Sequence, residues 1–582
     1  MSYLRFQSEY DRFPQHSVSG FDEEAWRGWE KITQAIRERT REQKTLIADC
    51  YPGVNDDEIL PMLQEAFQPE TTILTEDLFY DSDTLTEMMK PNLTDDRVRG
   101  IMYFGRVQDF IDPQKLKTAR DEAAAGRRVL IYGFAASLVS DCGATLYLDL
   151  TRWEIQLRYR RGMPNYKQHN DHEDSLRKIK RGFFIEWRIA DRHKIRCFDR
   201  IDLYLDTNVQ NAPKMITGDA LRAGLCSLTS RPFRLVPYFD PGVWGGQWMK
   251  EVCHLDPEEK NYAWSFDGVP EENSLMLKYG DVVLETPAMN LTLYQPKQFL
   301  GEKTFARFGA EFPIRFDFLD TMGGQNLSLQ VHPLTDYMYR KFGMPYTQDE
   351  SYYILDCAEG EGGVYLGFKE GVDPTEFIAD LRSANRGEQS LDAEKYVNRW
   401  PAKKHDHFLI PAGTIHCSSA NCMVLEISAT PYIFTFKLWD WDRLGLDGIP
   451  RPIHIDDGQE VLQYDRTTGW VKENLINRFR VLEENERYTE TKTGLHELEF
   501  IETHVFDVRE EAPLPFDGEF AMCNLVEGKA AVLESRDGLF APYEVHYAET
   551  FILPARAGRV MIRPRDPEEP VRVIVAKIRY GC

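Results

Sequence analysis

The chain has 582 residues, 42% of them hydrophobic, which exceeds what one hydrophobic core usually organises and predicts two or three domains. Its formal net charge of -24 at pH 7 argues against a nucleic-acid backbone or a membrane surface as its partner. Ten cysteines are scattered without a Cys-x-x-Cys pair, and no apolar run approaches membrane-spanning length. These features predict a cytoplasmic protein with reduced thiols.

The first third of the chain alternates short apolar strands with helices. Strands are predicted at 44–50 and 128–133, each followed by a turn that contains glycine. This alternation favours an α/β domain with a largely parallel sheet, which we place at residues 1–228. The other predicted elements are helices at 23–41, 56–68 and 112–126, strands at 182–188 and 200–205, and a junction at 208–230.

Turns from strand to helix aim backbone N–H groups at phosphates, which suggests a nucleotide site in this domain. Neither turn contains the Gly-x-x-x-x-Gly-Lys-Ser/Thr loop that holds a nucleotide triphosphate. Residues 146–158 and the basic run Arg158-Tyr-Arg-Arg161 faintly resemble the lid region of uridine-kinase-like phosphotransferases. Without that loop we favour a structural or regulatory role, and kinase activity is the alternative.

From Pro232 onward the sequence changes to closely spaced short strands with Gly, Pro and Asp turns, which is typical of all-β structure. Helices near 373–400 interrupt this pattern, with Asp373 as N-cap and Pro374 at the first helical position. The run 547–555 repeats 406–412, but Arg559 stands where the first copy has His416. Since a cation cannot ligate a divalent metal, we predict one metal-binding domain at 229–480 and a degenerate copy at 481–582.

Ligand-type side chains follow three of these strands. At a period of two, Gln330 and His332 share one strand face, Glu350 opens a second strand, and His416 comes just after the turn at 411–413. Two neutral imidazoles, a carboxylate and an amide oxygen suit Zn²⁺ with an open coordination position. The sequence therefore predicts a zinc site built from separate strands.

These residues also carry a family resemblance. The segments Gln330-Val-His-Pro333, Pro411-Ala-Gly-Thr-Ile-His416 and Trp439-Asp-Trp-Asp-Arg443, with Glu350 before Tyr-Tyr-Ile-Leu, resemble successive motifs of class I mannose-6-phosphate isomerases. Val243-Trp-Gly-Gly246 extends the similarity upstream, so that it covers about residues 234–582. The resemblance implies a double cupin, or jelly roll, with a helical insertion.

The same resemblance implies roles for individual residues. It assigns one Zn²⁺ per chain to Gln330, His332, Glu350 and His416, and it makes Arg443 the active-site arginine. It assigns Lys437 and Trp264 to binding of the substrate, a small sugar phosphate. Aldose–ketose isomerisation moves a proton between C1 and C2 through an enediol, which requires an electrophile and a base. His405 and His407 share a strand face near His416, but we assign neither as the base.

The sequence departs from the family pattern on the substrate side. Gln348-Asp349 stands where the family reads Lys-Thr, Asp317 replaces another lysine, Ser265 replaces a glutamate, and Lys437 stands where arginine is common. The leading hypothesis is a zinc-dependent isomerase of mannose 6-phosphate and fructose 6-phosphate. The alternatives are an isomerase of another phosphorylated or free aldose, and a metal-retaining sugar-binding or regulatory cupin without turnover. The sequence does not indicate the oligomeric state.

Overall fold

The computed structural model describes residues 3–429, 433–497, 499–515 and 517–580. The chain divides into two compact units. The α/β unit combines Pro14–Leu228 with Glu271–Pro296, and the β unit combines Met1–Phe13, Thr229–Pro270 and Lys297–Cys582. Among the described residues, no helix is long and apolar enough to cross a membrane.

Strands and helices alternate through most of the first 228 residues. The strands are β1 (Gln15–Ser17), β2 (Ala25–Arg27), β3 (Thr45–Cys50), β4 (Thr71–Leu74), β5 (Val129–Gly133), β6 (Ala144–Asp149), β7 (Leu203–Asp206) and β8 (Lys214–Thr217). The helices are α1 (Trp29–Arg39), α2 (Asp56–Phe67), α3 (Ser82–Leu93), α4 (Pro113–Ala125), α5 (Arg152–Arg160), α6 (Ser175–Arg181), α7 (Trp187–Lys194) and α8 (Gly218–Ser227).

Both units receive elements from the next part of the chain. These elements are β9 (Tyr238–Asp240), α9 (Trp248–Val252), β10 (Trp264–Gly268), β11 (Ser274–Tyr279), β12 (Val282–Pro287), α10 (Met289–Tyr294), α11 (Pro296–Leu300) and α12 (Glu302–Phe308). The strands β11 and β12 pair with β1 in a small sheet of the α/β unit.

The remaining elements belong to the β unit. Up to residue 474 they are β13 (Ile314–Asp320), β14 (Leu329–Val331), α13 (Thr335–Phe342), β15 (Glu350–Cys357), β16 (Gly363–Phe368), α14 (Pro374–Asn385), α15 (Ala393–Tyr396), β17 (Val397–Pro401), β18 (His407–Ile410), β19 (His416–Ser418), β20 (Cys422–Ala429), β21 (Phe436–Trp439), α16 (Ile455–Val461) and α17 (Thr468–Asn474). The later strands are β22 (Arg480–Glu484), β23 (Tyr488–Gly494), β24 (Ile501–Val508), β25 (Ala512–Pro513), β26 (Ala521–Glu527), β27 (Ala530–Ser535), β28 (Tyr543–His546), β29 (Thr550–Leu553), β30 (Val560–Pro564) and β31 (Val571–Ile578).

The main sheet of the α/β unit has the order β2-β8-β7-β6-β3-β5-β4. Strands β7, β6, β3, β5 and β4 run parallel to one another. Strand β8 pairs antiparallel with β7, and β2 pairs antiparallel with β8. Every residue of β3 and β6 is buried, which is typical of parallel strands covered on both faces. The predicted α/β domain is confirmed.

The β unit contains two antiparallel sandwiches. The first sandwich consists of the sheets β18-β15-β20-β13-β10-β9 and β17-β16-β19-β14-β21, and helix α14 begins after the predicted N-cap Asp373. The second sandwich consists of β22-β23-β24-β31-β26-β29 and β25-β30-β27-β28. Buried apolar side chains such as Phe506, Leu533 and Val573 form one core between the two sheets of the second sandwich. The predicted order, an α/β domain followed by β-rich domains, is confirmed.

Three local predictions in the α/β unit are wrong. Residues 182–188 form a π-helical turn and the start of α7 instead of a strand, because a short run buried on all sides lacks a diagnostic period. The expected junction at 208–230 contains β8 and α8, with Thr217 capping the helix through Ala220 N–H at 3.1 Å. The first helix starts at Trp29 instead of residue 23, after strand β2.

A buried ion pair lies at the carboxyl end of β6. Lys194 Nζ donates to both carboxylate oxygens of Asp149, at 3.0 and 2.9 Å, and to Asn290 Oδ1 at 3.1 Å. Asn290 Nδ2 and Tyr204 Oη also donate to Asp149 Oδ2, at 2.9 and 2.8 Å. The network therefore joins the segment 271–296 to the main sheet of the α/β unit.

Lys194→Ala should lower the unfolding free energy of the α/β unit by about 3–5 kcal/mol, because it leaves the buried Asp149 carboxylate without its cation. The matched control is Lys117→Ala on exposed α4, with an expected change within about 0.5 kcal/mol. Urea unfolding of both variants followed by circular dichroism measures the difference. Equal midpoints for the two variants would contradict this account of the ion pair.

Candidate metal centre

Three buried side chains from separate strands meet inside the first sandwich. His332 follows β14, Glu350 opens β15 and His416 opens β19. His332 Nε2 lies 2.9 Å from Glu350 Oε2, and His416 Nε2 lies 2.7 Å from Glu350 Oε1. One potential ligand atom from each residue lies within 4.8 Å of the others. In position and in donor type, the group could hold a metal ion.

Local geometry explains why the two histidines approach each other. The period of a strand places Gln330 and His332 on the same side of the β14 segment. Gly413, at φ +88°, makes the tight turn that precedes His416. The N–H of Gly413 donates to the His332 carbonyl at 2.8 Å, so the turn ties the two histidine-bearing segments together.

The other ring nitrogen of each histidine faces a backbone carbonyl. His332 Nδ1 lies 3.3 Å from Phe434 O, and His416 Nδ1 lies 2.8 Å from Thr414 O. A carbonyl only accepts hydrogen bonds, so each Nδ1 carries a proton and donates it. In the neutral ring this leaves the lone pair on Nε2, directed at Glu350, as in histidines that ligate metals.

The electrostatics of this group favour a cation. His332 Nε2 and Glu350 Oε1 are buried and have no hydrogen-bond partner among the described residues, despite their short contacts. Burial raises the pKa of Glu350, but positive charge at the two imidazoles outweighs burial and holds the pKa below its ordinary range, and a metal ion held by the neutral rings would put positive charge at the same place. Ligand atoms around a tetrahedral ion lie about 3.3 Å apart for bonds of about 2.0–2.1 Å, close to the spacing seen here. The residues therefore fit a divalent metal.

Gln330 lies beside this group and offers a fourth ligand position. It is buried, it is the register partner of His416, and its Nε2 lies 3.2 Å from His416 Nε2. The two orientations of a glutamine amide have nearly the same shape, so a half-turn places Oε1 at the same point. Gln348 supports the carboxylate, since its amide donates to Glu350 Oε2 at 3.5 Å.

Two further carboxyl groups, not recognised from the sequence, face the same interior. Asp317 and Glu426 are register partners on β13 and β20, and Tyr352, two residues from Glu350, pairs with Glu426 from the other side. Burial raises the pKa of Asp317 to about 7 against the opposing effect of Arg315. Burial, together with the Glu350 and Asp317 charges, raises the pKa of Glu426 well above its ordinary range. The interior thus holds carboxyl groups that can carry protons near neutral pH.

Arg443 is held in a network near the metal centre. Its Nη2 pairs with Asp440 Oδ1 at 2.6 Å, and its Nη1 donates to Asn326 O at 2.7 Å. Arg451 shares the same carboxylate at 3.2 Å and contacts Ser328 Oγ at 3.1 Å. Two guanidinium groups on one carboxylate leave a net positive charge beside Ser328, which shares the strand face of the proposed ligands.

The two residues expected on the substrate side lie in different places. Lys437 on β21 is the register partner of Gln330, so both side chains leave the same sheet face. Trp264 lies on β10 and packs edge-on against Trp244 at 5.1 Å between ring centroids. It shares the inner face with Glu350 but is three strands away and four residues along the strand, roughly 20 Å. Of these two residues, Lys437 is the one adjacent to the metal group.

The histidines considered as bases face away from the centre. His407 Nε2 lies 2.8 Å from Ser351 Oγ, and His405 Nδ1 lies 2.9 Å from Tyr353 Oη. Ser351 and Tyr353 alternate with Glu350 along β15 and therefore occupy the opposite face of the sheet. Burial lowers the pKa of His407 to about 3. The expectation that these two histidines lie near the ligands is wrong, because strand alternation separates them.

Arg559, the residue that replaces a histidine in the second repeat, is an exposed side chain. Its Nε and Nη2 donate to Asp537 Oδ1 at 2.9 and 2.6 Å. Its side chain is 67% exposed, so the guanidinium does not enter the apolar core of the second sandwich. The second copy of the sequence repeat therefore places the side chain at position 559 on the surface and not inside its sandwich.

Two more groups of potential ligand residues occur in the described part of the chain. One is buried in the α/β unit, and the other lies at the surface of the β unit, where Arg565 pairs with Glu9 at 2.7 Å. Their members are Asp49, His193 and Cys197, and Glu9, Glu544 and His546. In both groups the carboxylates already have other partners, since Asp49 accepts from the N–H groups of Ala135 and Ser137, and Arg565 pairs with Glu9 and Glu544.

Comparisons with known proteins separate the two parts of the chain. Residues 28–230 match a family described as Domain of unknown function (DUF8485). The Bacillus subtilis protein YvyI, which carries a provisional mannose-6-phosphate isomerase name, is 24% identical over 336 residues, covering 56% of this chain and 95% of YvyI. Mannose-6-phosphate isomerase ManA of the same organism is 25% identical over 237 residues, covering 40% of this chain and 69% of ManA.

The C-terminal part of the chain is a distant homologue of mannose-6-phosphate isomerases. The similarity covers about 60% of the chain. A crystal structure of the Bacillus subtilis mannose 6-phosphate isomerase superposes with a TM-score of 0.49 at 21% identity, covering 60% of this chain and 100% of that chain. The sequence similarity to YvyI and ManA confirms the family resemblance at the level of distant homology.

His332→Ala and His416→Ala should each abolish stoichiometric metal binding, because each removes one of the lone pairs that converge on Glu350. Elemental analysis of the purified variants measures the metal content. His405→Ala, on the opposite face of β15, and Arg559→Ala are the controls and should keep the metal. Full metal content in both ligand variants would rule out this centre.

Proposed function

We propose that the protein is a zinc-dependent aldose–ketose isomerase that interconverts mannose 6-phosphate and fructose 6-phosphate. The observation that carries the proposal is the buried His332–Glu350–His416 group, whose Nε2 lone pairs face an ionised carboxylate. Distant homology to mannose-6-phosphate isomerases supports the reaction class.

In this proposal His332, Glu350, His416 and Gln330 hold one Zn²⁺ per chain. Nitrogen and oxygen ligands from buried strands suit zinc, which can expand from four to five ligands and would then have a position for substrate. Zinc, when bound, acts as a Lewis acid that polarises the oxygens of the sugar's reacting carbons. The carbonyls of Phe434 and Thr414 orient the two imidazoles, and Gln348 supports Glu350 through the 3.5 Å amide contact.

Proton transfer between C1 and C2 requires a group that can both accept and release a proton. Asp317 and Glu426 are the candidates, because both lie on the inner face and burial raises both pKa values. A carboxyl group with a raised pKa is a stronger base when ionised than an exposed one. Tyr352, the neighbour of Glu426, supplies a buried hydroxyl with no hydrogen-bond partner among the described residues.

Binding of a sugar phosphate requires positive charge beside the metal centre. Lys437 is adjacent to Gln330 on the same sheet face, and the Arg443–Arg451 pair on Asp440 carries a net positive charge. We assign phosphate attraction to Lys437 and stabilisation of developing negative charge on the sugar oxygens to Arg443. Trp264 is assigned to packing against Trp244, given its distance from Glu350.

One observation favours a second candidate function, a metal-retaining cupin that binds sugars without turnover or acts on another aldose. Three Arg443 nitrogens already contact Asp440 or Asn326, which limits what this arginine can offer a substrate. Asp317 also puts a carboxyl group where the family has a lysine, so the interior is poorer in positive charge than the family pattern implies.

The zinc-loaded protein should convert mannose 6-phosphate to fructose 6-phosphate faster than it converts other aldose phosphates or the free aldoses. Glu350→Gln should reduce kcat/KM by more than about 10²-fold, because the neutral amide no longer balances the cation. His405→Ala is the control and should retain most of the activity. Enzymatic assay of the ketose product over this panel measures the effect.

Two outcomes would contradict the proposal. Preference for a free aldose or a different aldose phosphate would change the substrate. Zinc-loaded protein without turnover on any member of the panel would favour the sugar-binding function.

A further inference from the structure

The α/β unit contains a cavity of about 320 Å³ between α7 and the 3-10 turn Val107–Phe110. This volume lies within the range of small-molecule sites, about 300–1,000 Å³. The cavity has an apolar wall and a basic rim. Its lining residues are Phe104, Arg106, Val107, Gln108, Ile189, Arg192, His193, Ile195 and Arg196.

The lining is positively charged in a strongly acidic chain. Arg106, Arg192 and Arg196 line the cavity, and no carboxylate is among the described residues that do so. Arg192 is fixed in place, since its Nη1 donates to the carbonyls of Tyr103 and Gly105 at 2.9 and 3.0 Å. Neither the Arg106 nor the Arg196 guanidinium forms an ion pair with a described residue. Because the chain carries a formal charge of -24, such a cluster requires an explanation of its own.

A buried ion pair forms the floor of the cavity. His193 Nε2 lies 2.8 Å from Asp49 Oδ2, and Asp49 also accepts from the N–H groups of Ala135 and Ser137 at 3.1 and 2.9 Å. Burial lowers the pKa of His193, but Asp49 outweighs burial and raises it to about 10, so the ring is an imidazolium at neutral pH. A protonated ring cannot ligate a metal, which favours an anion over a metal ion at this place.

The position of the cavity in the fold is the usual one for a ligand. Asp49 lies near the carboxyl end of β3, in the middle of the parallel strands, and α/β sheets bind ligands outside the carboxyl ends of their strands. A second, smaller cavity at the ends of β3 and β5 contains the carboxylates Asp56 and Glu76 and repels anions. Of these two cavities, only the one lined by arginines is therefore suited to a negatively charged ligand.

We propose that the arginine-lined cavity binds a small phosphorylated metabolite. The Arg106 and Arg196 guanidinium groups can each donate paired N–H groups to phosphate oxygens, Arg192 adds positive charge, and a phosphate monoester with a charge of about -1.5 to -2 offsets most of this positive charge. The wall formed by Phe104, Val107 and Ile189 contacts the organic part. This binding site is separate from the candidate isomerase site, because all of its residues belong to the α/β unit.

Isothermal titration of the full-length protein with inorganic phosphate and with glycerol 3-phosphate tests the proposal, with glycerol as the uncharged comparison. Both anions should bind, and glycerol should not. The double variant Arg106→Ala/Arg196→Ala should weaken binding of both anions by at least about tenfold, because it removes two charge-assisted donors. Arg192 is left intact, since it also holds the backbone at Tyr103 and Gly105. The matched control is Arg41→Ala, an exposed arginine of the same unit outside the cavity, which should leave binding unchanged.

Three results would overturn the proposal: no binding of either anion, binding that is unchanged in the double variant, or an equal loss in Arg41→Ala. The second result would place the anion elsewhere, including at the candidate isomerase site. The third result would show that the loss of anion binding reflects general electrostatic attraction by surface arginines and not a specific site. Repeating the titration with His332→Ala separates the two sites, since that variant should lose metal but keep the anion affinity of the cavity.

Discussion

The buried carboxylate of Glu350 is the constraint on which the first sandwich depends. Its side chain has 0% exposure, and it faces two imidazole nitrogens that carry lone pairs because the ring protons are donated to backbone carbonyls. An unpaired buried charge costs several kcal/mol, so a cation held at the point where these atoms converge would stabilise the arrangement. The negative charge of Glu350 also raises the pKa of Asp317 and Glu426 on the same inner face, so these groups hold their protons more tightly. The capacity to hold a metal ion and the raised pKa values of the interior carboxyl groups are therefore two consequences of the position of Glu350.

Much of this arrangement could be predicted because each proposed ligand lies beside a local signal. His332 follows a two-residue alternation, and His416 follows a turn that needs Gly413 at positive φ. Glu426 had no such signal, since it is a single acid inside the otherwise buried strand β20, and only the register with Asp317 reveals its neighbour. Strand alternation also separates His407 from the proposed ligands, because its Nε2 contacts Ser351 Oγ on the other face of β15.

Longer-range features could not be predicted from the sequence. The segment Glu271–Pro296 groups with the α/β unit through contacts such as Asn290 with Asp149, which are far apart in the chain. The run at 182–188 is apolar and short, so its length and period do not distinguish a buried helix from a buried strand. In both cases the deciding contacts are tertiary.

Acidic and basic side chains are distributed unevenly between the candidate metal centre and the cavity in the α/β unit. The candidate metal centre gathers carboxylates and imidazoles with little positive charge, whereas the cavity in the α/β unit gathers arginines without carboxylates. The two sites thus differ in the ligands that they attract, a cation at one and an anion at the other. The carboxylates act differently at the two sites: Glu350 faces an imidazole nitrogen that carries a lone pair, whereas Asp49 pairs with the protonated His193.

Reconstitution with zinc tests the central claim most directly. The protein is stripped with a chelator, its metal content is verified by elemental analysis, and Zn²⁺ is added stepwise while isomerisation of mannose 6-phosphate is followed by NMR. The account predicts that activity is absent without metal and rises in proportion to added zinc up to one ion per chain. Full turnover by verified metal-free protein, or no turnover at one zinc per chain, would contradict it.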